Sequence, residues 1–239
     1  MKHRNLVLVD FDGVILKNKA AALHIANKAH AYVAKTCRLL PDRKGVEKLN
    51  KELYTSSGHT VIGLNKHGIK SSLKDFNRFV YDDVWKYKSL QLTEDEKNAW
   101  LLFVQEMKKL QVDIRFFSNA SYKWIKHFMT DDLASQDMYE LQYHIDSYAH
   151  EPHYDTLLKP ERHIYENVMY RYPRRMYYVL DDKIHNFQAI SHDPRWIKVW
   201  MSGCGDSSWM VKRKISTSFF AVDQLSDAAK LIAHIENAC

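Results

Sequence analysis

The sequence predicts an α/β protein, a doubly wound parallel sheet carrying an inserted helical unit near its start. Three observations lead to that architecture. Short, continuously apolar runs recur along the chain and alternate with segments of helical periodicity, as expected of strands that crossover helices bury on both faces. Several runs end in acidic or small polar residues, and in an open parallel sheet the loops beyond the carboxyl ends of the strands form the ligand crevice. Finally, roughly a hundred residues separate the first run from the second, where an ordinary crossover needs a dozen to a few tens.

In chain order, Leu6–Val9 is the first strand, closing on Asp10-Phe11-Asp12-Gly13. Residues 20–35 are alanine-rich with Leu23, Ala26, His30 and Val33 at helical spacing, and residues 94–110 place Trp100, Phe103, Val104 and Met107 likewise. The insert is assigned to residues 17–95, which leaves 1–16 and 96–239 as the core. Apolar runs at 114–117, 177–180, 197–200 and 219–222 supply the remaining strands. Helices are expected over 122–128, 161–170 and 226–237, the last with Leu231, Ile232 and Ile235 on one face and Ser226 as its N-cap. Residues 203–208 read as a loop.

Composition agrees with a globular chain: 239 residues, 46% hydrophobic and 27% charged, with 7 Gly and 5 Pro, which excludes disordered and collagen-like classes. The net charge of +6 suits an anionic ligand but is too diffuse to demand nucleic acid. Cys37, Cys204 and Cys239 are odd in number and form no C-x-x-C pair, so reduced thiols are expected rather than a disulfide framework or a zinc knuckle. The apolar run after the basic residues 1–4 stops at Asp10, too short for a signal-peptide core. No stretch reaches the ~18 apolar residues that a bilayer span requires. A cytoplasmic protein without a membrane anchor is the expectation.

The polar residues at the strand ends carry the chemistry. Asp10 and Asp12 follow the first strand, Ser118 and Asn119 the second, and Asp181 and Asp182 the strand at 177–180, with Lys159-Pro160 opening the helical segment before it. Four carboxylates in one crevice repel strongly, and a hard divalent cation with oxygen ligands, Mg²⁺ foremost, relieves that repulsion. With the cation and Lys159 neutralising phosphate oxygens and Ser118 donating a hydrogen bond, one aspartate can attack phosphorus. A second can protonate the leaving oxygen and later activate water. A phosphate monoester is the natural substrate. Ser118 and Asn119 also suit capping of the helix that follows, and Asp-Gly alone could serve as a turn.

The ordered set Val9-Asp10-Phe11-Asp12-Gly13-Val14, Phe116-Phe117-Ser118-Asn119-Ala120, Leu158-Lys159-Pro160 and Val179-Leu180-Asp181-Asp182 resembles the four motifs of the haloacid dehalogenase (HAD) superfamily, and it runs nearly the length of the chain. The resemblance implies a HAD-like Rossmannoid core with Asp10 as nucleophile and Asp12 as general acid/base. It also implies Ser118 and Lys159 as phosphate binders, and a Mg²⁺ ion held by Asp10, the Asp12 carbonyl and Asp182 with Asp181. Within the superfamily an acid at the position of Asp12 favours phosphatases over dehalogenases. An insert straight after the first motif corresponds to a helical cap. The cap segments 53–64, 67–69 and 75–83 resemble the pyrimidine 5′-nucleotidase branch, in which the fourth motif often reads Asp-Asp-Ser; here Lys183 stands in the serine position, and Asn186 keeps a polar residue in the same loop.

The expected activity is therefore a Mg²⁺-dependent phosphomonoester hydrolase working through an aspartyl-phosphate, with nucleoside 5′-monophosphates carrying a pyrimidine as the leading substrates. Sugar phosphates or another small metabolite are the alternative, followed by a nucleic-acid end phosphatase or a non-catalytic phosphate-binding protein. Asn119 is a further expected substrate contact, and the cap text adds His59, Asn77 and Arg78. The aromatics Phe76, Phe79, Tyr81, Trp85 and Tyr87 could stack on a base, although such spacing more often marks a helical core. None of the thirteen histidines sits in a recognisable metal-ligand spacing. The expected partner is a small phosphate ester, neither membrane nor nucleic acid.

Overall fold

The computed structural model describes residues 4–39, 43–83, 90–130, 158–203, 214–216 and 218–238. Its strands are β1 (Leu6–Val9), β2 (Asp113–Phe116), β3 (Tyr177–Asp181), β4 (Trp196–Met201), β5 (Lys214–Ser216) and β6 (Phe219–Val222). Its helices are α1 (Lys19–Thr36), α2 (Arg43–Ser57), α3 (Thr60–Lys66), α4 (Leu73–Tyr81), α5 (Glu94–Lys109), α6 (Tyr122–Thr130), α7 (Arg162–Arg171) and α8 (Leu225–Ala238). The sheet runs β2-β1-β3-β4-β6-β5. Every pair is parallel except β5 with β6.

β1 lies between β2 and β3 with all four residues buried, which is why its run is continuously apolar rather than alternating. Register decides function here. Val9 pairs with Phe116 on one side and Leu180 on the other, so the three chains leave the sheet level with one another. The Asp10 N–H donates to the Leu180 carbonyl (2.9 Å) and the Phe117 N–H to the Val9 carbonyl (2.8 Å). These bonds extend the ladder one residue past each strand and fix where the loops begin.

The inserted helices pack chiefly on one another, α1 against α2 and α4, and α2 against α3. Asn18 caps α1 by accepting from the Ala20 and Ala21 N–H groups. α5 begins at a capping box formed by Thr93 and Glu96, and the predicted Trp100, Phe103, Val104 and Met107 are its buried face. It packs on α8 and β2, on the sheet side of the boundary at residue 95. We propose 17–95 as a cap domain on this pattern.

Three features differ from expectation. β5 adds an antiparallel edge that its mixed sequence does not announce. Ser226 is not an N-cap, because α8 already starts at Leu225, which is buried and anchors the first turn. Between β3 and β4, where no helix is expected, the chain makes a 3₁₀ helix (Ile184–Ile190). Trp85, Tyr87, Cys204, Cys239 and residues 204–208 of the expected loop lie outside the described residues. No helix among the described residues is long and apolar enough to cross a membrane.

Candidate active site

The aligned strand ends bring Asp10, Asp12, Ser118, Asn119, Lys159, Asp182, Lys183 and Asn186 to one cavity of about 440 Å³. Lys159 is the hub of its floor. It is 1% exposed, with Nζ 2.6 Å from Asp181 Oδ2 and 3.2 Å from Asp10 Oδ2, and over the Phe117 ring at 5.4 Å. Burial alone would lower its pKa, but Asp10 and Asp181 outweigh that and hold the ammonium above its usual range. Its backbone is clamped as well: the Lys159 N–H donates to Asn119 Oδ1 and Asn119 Nδ2 donates to the Lys159 carbonyl, both at 2.9 Å. Asn119, expected to bind substrate, thus spends its amide on positioning Lys159.

Asp10 is 8% exposed and accepts from the Phe11 N–H at Oδ1 (2.8 Å) and from the Ser118 side chain. Burial pushes its carboxyl up, and the Lys159 charge pulls it back. The capping expected of Ser118 falls instead to Ser121, whose Oγ accepts from the Trp124 N–H (3.2 Å). Ser118 Oγ takes the Ala120 N–H (3.2 Å) and leaves its proton for Asp10.

Asp12 has a different environment. Its Oδ1 accepts from the indole Nε1–H of Trp124 at 2.8 Å, and burial raises its carboxyl to about 7 against that hydrogen bond. A carboxyl that titrates near neutrality can both give and take a proton. Gly13 completes the turn at φ +84°, and a Cβ there would stand 2.3 Å from Asp182 Oδ2. Only glycine lets the two loops approach this closely.

The adjacent acids play unequal parts. Asp181 is fully buried, and both oxygens are filled: Oδ1 by the Lys183 N–H (2.8 Å) and Asn186 Nδ2 (2.9 Å), Oδ2 by Asn186 Nδ2 (2.8 Å) and Lys159 Nζ. Asp182 faces the cavity, its carbonyl held by the Trp200 indole (3.1 Å) and its Oδ2 paired with Lys183 Nζ. Burial and the neighbouring Asp10 raise its pKa, while Lys183 opposes them.

These groups fit a hard divalent cation. Carboxylate oxygens of Asp10, Asp181 and Asp182 lie mutually within 4.8 Å, and of the three Asp10 and Asp182 line the cavity. Four carboxylates face two ammoniums, and Asn186 Oδ1 is buried without a hydrogen-bond partner, an acceptor oxygen beside an acidic cluster. The Asp12 carboxylate stands outside the three-carboxylate group, so any part Asp12 takes in holding a cation falls to its carbonyl.

The wall from the inserted helices is uncharged. It presents Ala22, Ile25, Ala26 and Ala29 of α1, Asn50 and Tyr54 of α2, His59 and Thr60 at the start of α3, and Phe76 and Tyr81 of α4. His59 caps α3 by accepting the Val61 N–H at Nδ1 (3.2 Å) and lies edge-on to Phe76, 5.0 Å between centroids. Burial lowers its pKa to about 4, so the ring is neutral and carries its proton on Nε2. Gly58, at φ +76°, lets this wall meet the core: a Cβ would stand 2.3 Å from Pro160 Cδ.

Asn77 and Arg78 are not brought to the cavity. Asn77 is half-buried, with its Oδ1 shielded from solvent, and does not line it, and Arg78 is exposed, 3.4 Å from Asp75, on a separate cleft with Lys28 and Lys35. Phe79 shares that cleft, with Lys35 Nζ 5.3 Å from its ring centre. The sequence reading missed Trp124, Tyr54 and Asn50. Only Trp124 carries a prior signal, since a buried indole N–H requires an acceptor.

No protein-family model matches the chain, and no curated protein matches it. Solved structures do. A protein described as a haloacid dehalogenase-like hydrolase from Burkholderia xenovorans LB400 superposes with a TM-score of 0.51 at 14% identity, covering 97% of this chain and 98% of the other. A 2-haloacid dehalogenase from Pseudomonas syringae pv. tomato DC3000 gives 0.49 at 9% identity, over 97% and 99%. A β-phosphoglucomutase structure from Thermotoga maritima gives 0.46 at 14%, over 98% and 100%. The first of these likenesses shows that the chain has the α/β fold of a haloacid dehalogenase-like hydrolase.

Proposed function

We propose that the protein is a HAD-type phosphohydrolase that removes phosphate from a small monoester through an aspartyl-phosphate on Asp10. One observation carries this reading: Asp12, a carboxyl raised to about 7, lines the same cavity as Asp10, whose carboxylate is held by Lys159 and Ser118. Departure of a halide needs no proton donor, whereas departure of an alkoxide does.

Lys159 and Ser118 position the Asp10 carboxylate and draw the phosphoryl oxygens to it. A carboxylate oxygen of Asp10 forms a bond to phosphorus as the ester P–O bond breaks, and Asp12 passes its proton to the departing oxygen. Water then attacks phosphorus, gives its proton to Asp12, and frees both inorganic phosphate and Asp10. Asp10 and Asp182, with the Asp12 carbonyl, are the groups we assign to a divalent cation, taken as Mg²⁺, which would neutralise phosphate charge when bound. Asp181 is a positioning residue, because all its oxygen contacts are internal.

The finer reading is a nucleoside 5′-monophosphate, pyrimidine preferred. It is supported by the wall of inserted helices α1 to α4, which is free of formal charge, by the Phe76 and Tyr81 rings, and by Asn50, Thr60 and His59 as polar groups for an uncharged base and sugar. Among the described lining residues the cations Lys159 and Lys183 belong to the core, and Lys17, the first residue of the insert, precedes α1 and donates its Nζ to the Asp223 carbonyl of the core (3.2 Å). A leaving group with a second phosphate finds no partner on that wall. Phosphate release from a panel of nucleoside monophosphates, sugar phosphates and a 5′-phosphorylated oligonucleotide, with halide release from 2-haloacids alongside, tests the proposal. Faster turnover of sugar phosphates would refute the base pocket, and halide release without phosphatase activity would refute the reaction class.

A further inference from the structure

We propose that Lys183 is a tethered competitor for the divalent cation: its ammonium is paired with the Asp182 carboxylate that the cation must take, and the ion binds by displacing it. The inference rests on the proposed cation site, and it concerns this chain's own lysine.

Of the acids beyond β3, Asp181 has no oxygen to spare, as its contacts to Lys159, Asn186 and the Lys183 N–H show. The carboxylate that can turn to a cation is Asp182. Its Oδ2 is the atom nearest the place a Cβ on Gly13 would take, so this carboxylate borders the turn that carries Asp10 and Asp12. Lys183 Nζ bonds to that same Oδ2. Cation and ammonium therefore claim one carboxylate.

Lys159 and Lys183, the cavity lysines paired with these acids, differ in freedom. Lys159 is buried and gripped by two carboxylates and, at its backbone, by Asn119. The Lys183 side chain is 47% exposed with Asp182 as its sole carboxylate salt-bridge partner among the described residues. Its flexible four-carbon stem lets the ammonium leave for solvent without disturbing a packed element. While it stays, it reduces the mutual repulsion of the acids and weakens the site's hold on a metal ion.

Mn²⁺ alone is the probe, with binding followed by electron paramagnetic resonance on wild type, Lys183→Gln and Lys183→Arg. Lys183→Gln should bind Mn²⁺ about ten-fold more tightly, and Lys183→Arg should stay near wild type. In ¹⁵N-detected lysine spectra, saturating Mg²⁺ should shift or broaden away the Lys183 ammonium signal and leave that of Lys159 in place. Equal or weaker Mn²⁺ binding by Lys183→Gln, or a Lys183 signal unmoved in Mg²⁺-loaded protein, would overturn the competitor role while the cation site stands. Absence of Mn²⁺ binding in all three proteins would overturn both.

Discussion

Replacing Trp124 with phenylalanine should move the pH dependence of catalysis in a direction set by one hydrogen bond. The indole Nε1–H is 2.8 Å from Asp12 Oδ1 and favours the ionised carboxyl, against the burial that raises it to about 7. Removing a neutral donor of this kind forfeits about 1 kcal/mol of preference for the carboxylate, which at ~1.36 kcal/mol per pH unit is ~0.7. In the free enzyme Asp12 must carry its proton to serve the departing oxygen, so kcat/KM falls as pH rises through its pKa. The variant retains the proton to higher pH, and its alkaline limb should lie about 0.7 pH unit above that of wild type. The assay is phosphate release at limiting substrate from pH 5 to 9 with saturating Mg²⁺. Trp124 is fully buried against Phe128 and Tyr81, so the smaller ring should also cost about 1–3 kcal/mol of stability, and rates belong at a temperature where both proteins are folded. Superimposable limbs, or a shift toward acid, would refute Asp12 as the proton donor tuned by Trp124.

Asp10→Asn should reduce turnover by at least ~10³-fold with an unchanged circular dichroism spectrum. Asp12→Asn should raise the melting temperature above pH 7: a buried acid with a raised pKa is stable when protonated, and its stability is lost as pH climbs from the unfolded value toward about 7. Partial exposure of Asp12 trims that gain to about 1–2 kcal/mol, and a lower melting temperature at pH 8 would contradict it. Lys159→Met should lose about 3–5 kcal/mol in denaturant unfolding, since it leaves Asp10 and Asp181 buried without their cation. Gly13→Ala should abolish activity in a folded protein, since a Cβ at φ +84° drives Asp182 aside.

Strands such as β1 and β3 were legible in the sequence because a run buried on both faces cannot alternate, and Asp10, Asp12, Ser118, Lys159 and Asp182 because chemistry at strand ends follows from the sheet direction. Roles were less legible than positions. Asn119 and Asp181 look like site residues, yet their polar atoms are spent internally, those of Asn119 on the Lys159 backbone and those of Asp181 on Lys159, Asn186 and the Lys183 N–H, which only the pairing of distant loops reveals. Arg78 fails for a rotational reason, since on α4 the cavity takes Phe76 and Tyr81 while Arg78 and Phe79 belong to another cleft; Asn77 is half-buried and lines neither. Phe76 serves both of its readings at once: it is buried against Tyr32 and His59 and lines the cavity. The antiparallel β5 was hidden because a three-residue edge strand carries no periodicity of its own.

The most direct test of the central claim is to quench the enzyme in acid during turnover of a ³²P-labelled nucleoside monophosphate and locate the label. Acid-quenched protein should be a phosphoprotein labile to alkali and hydroxylamine, with the label on Asp10, absent in Asp10→Asn and both formed and lost more slowly in Asp12→Asn, which lacks the acid for the first step and the base for the second. Phosphate release at full rate by Asp10→Asn, with no labelled protein at any time point, would contradict it.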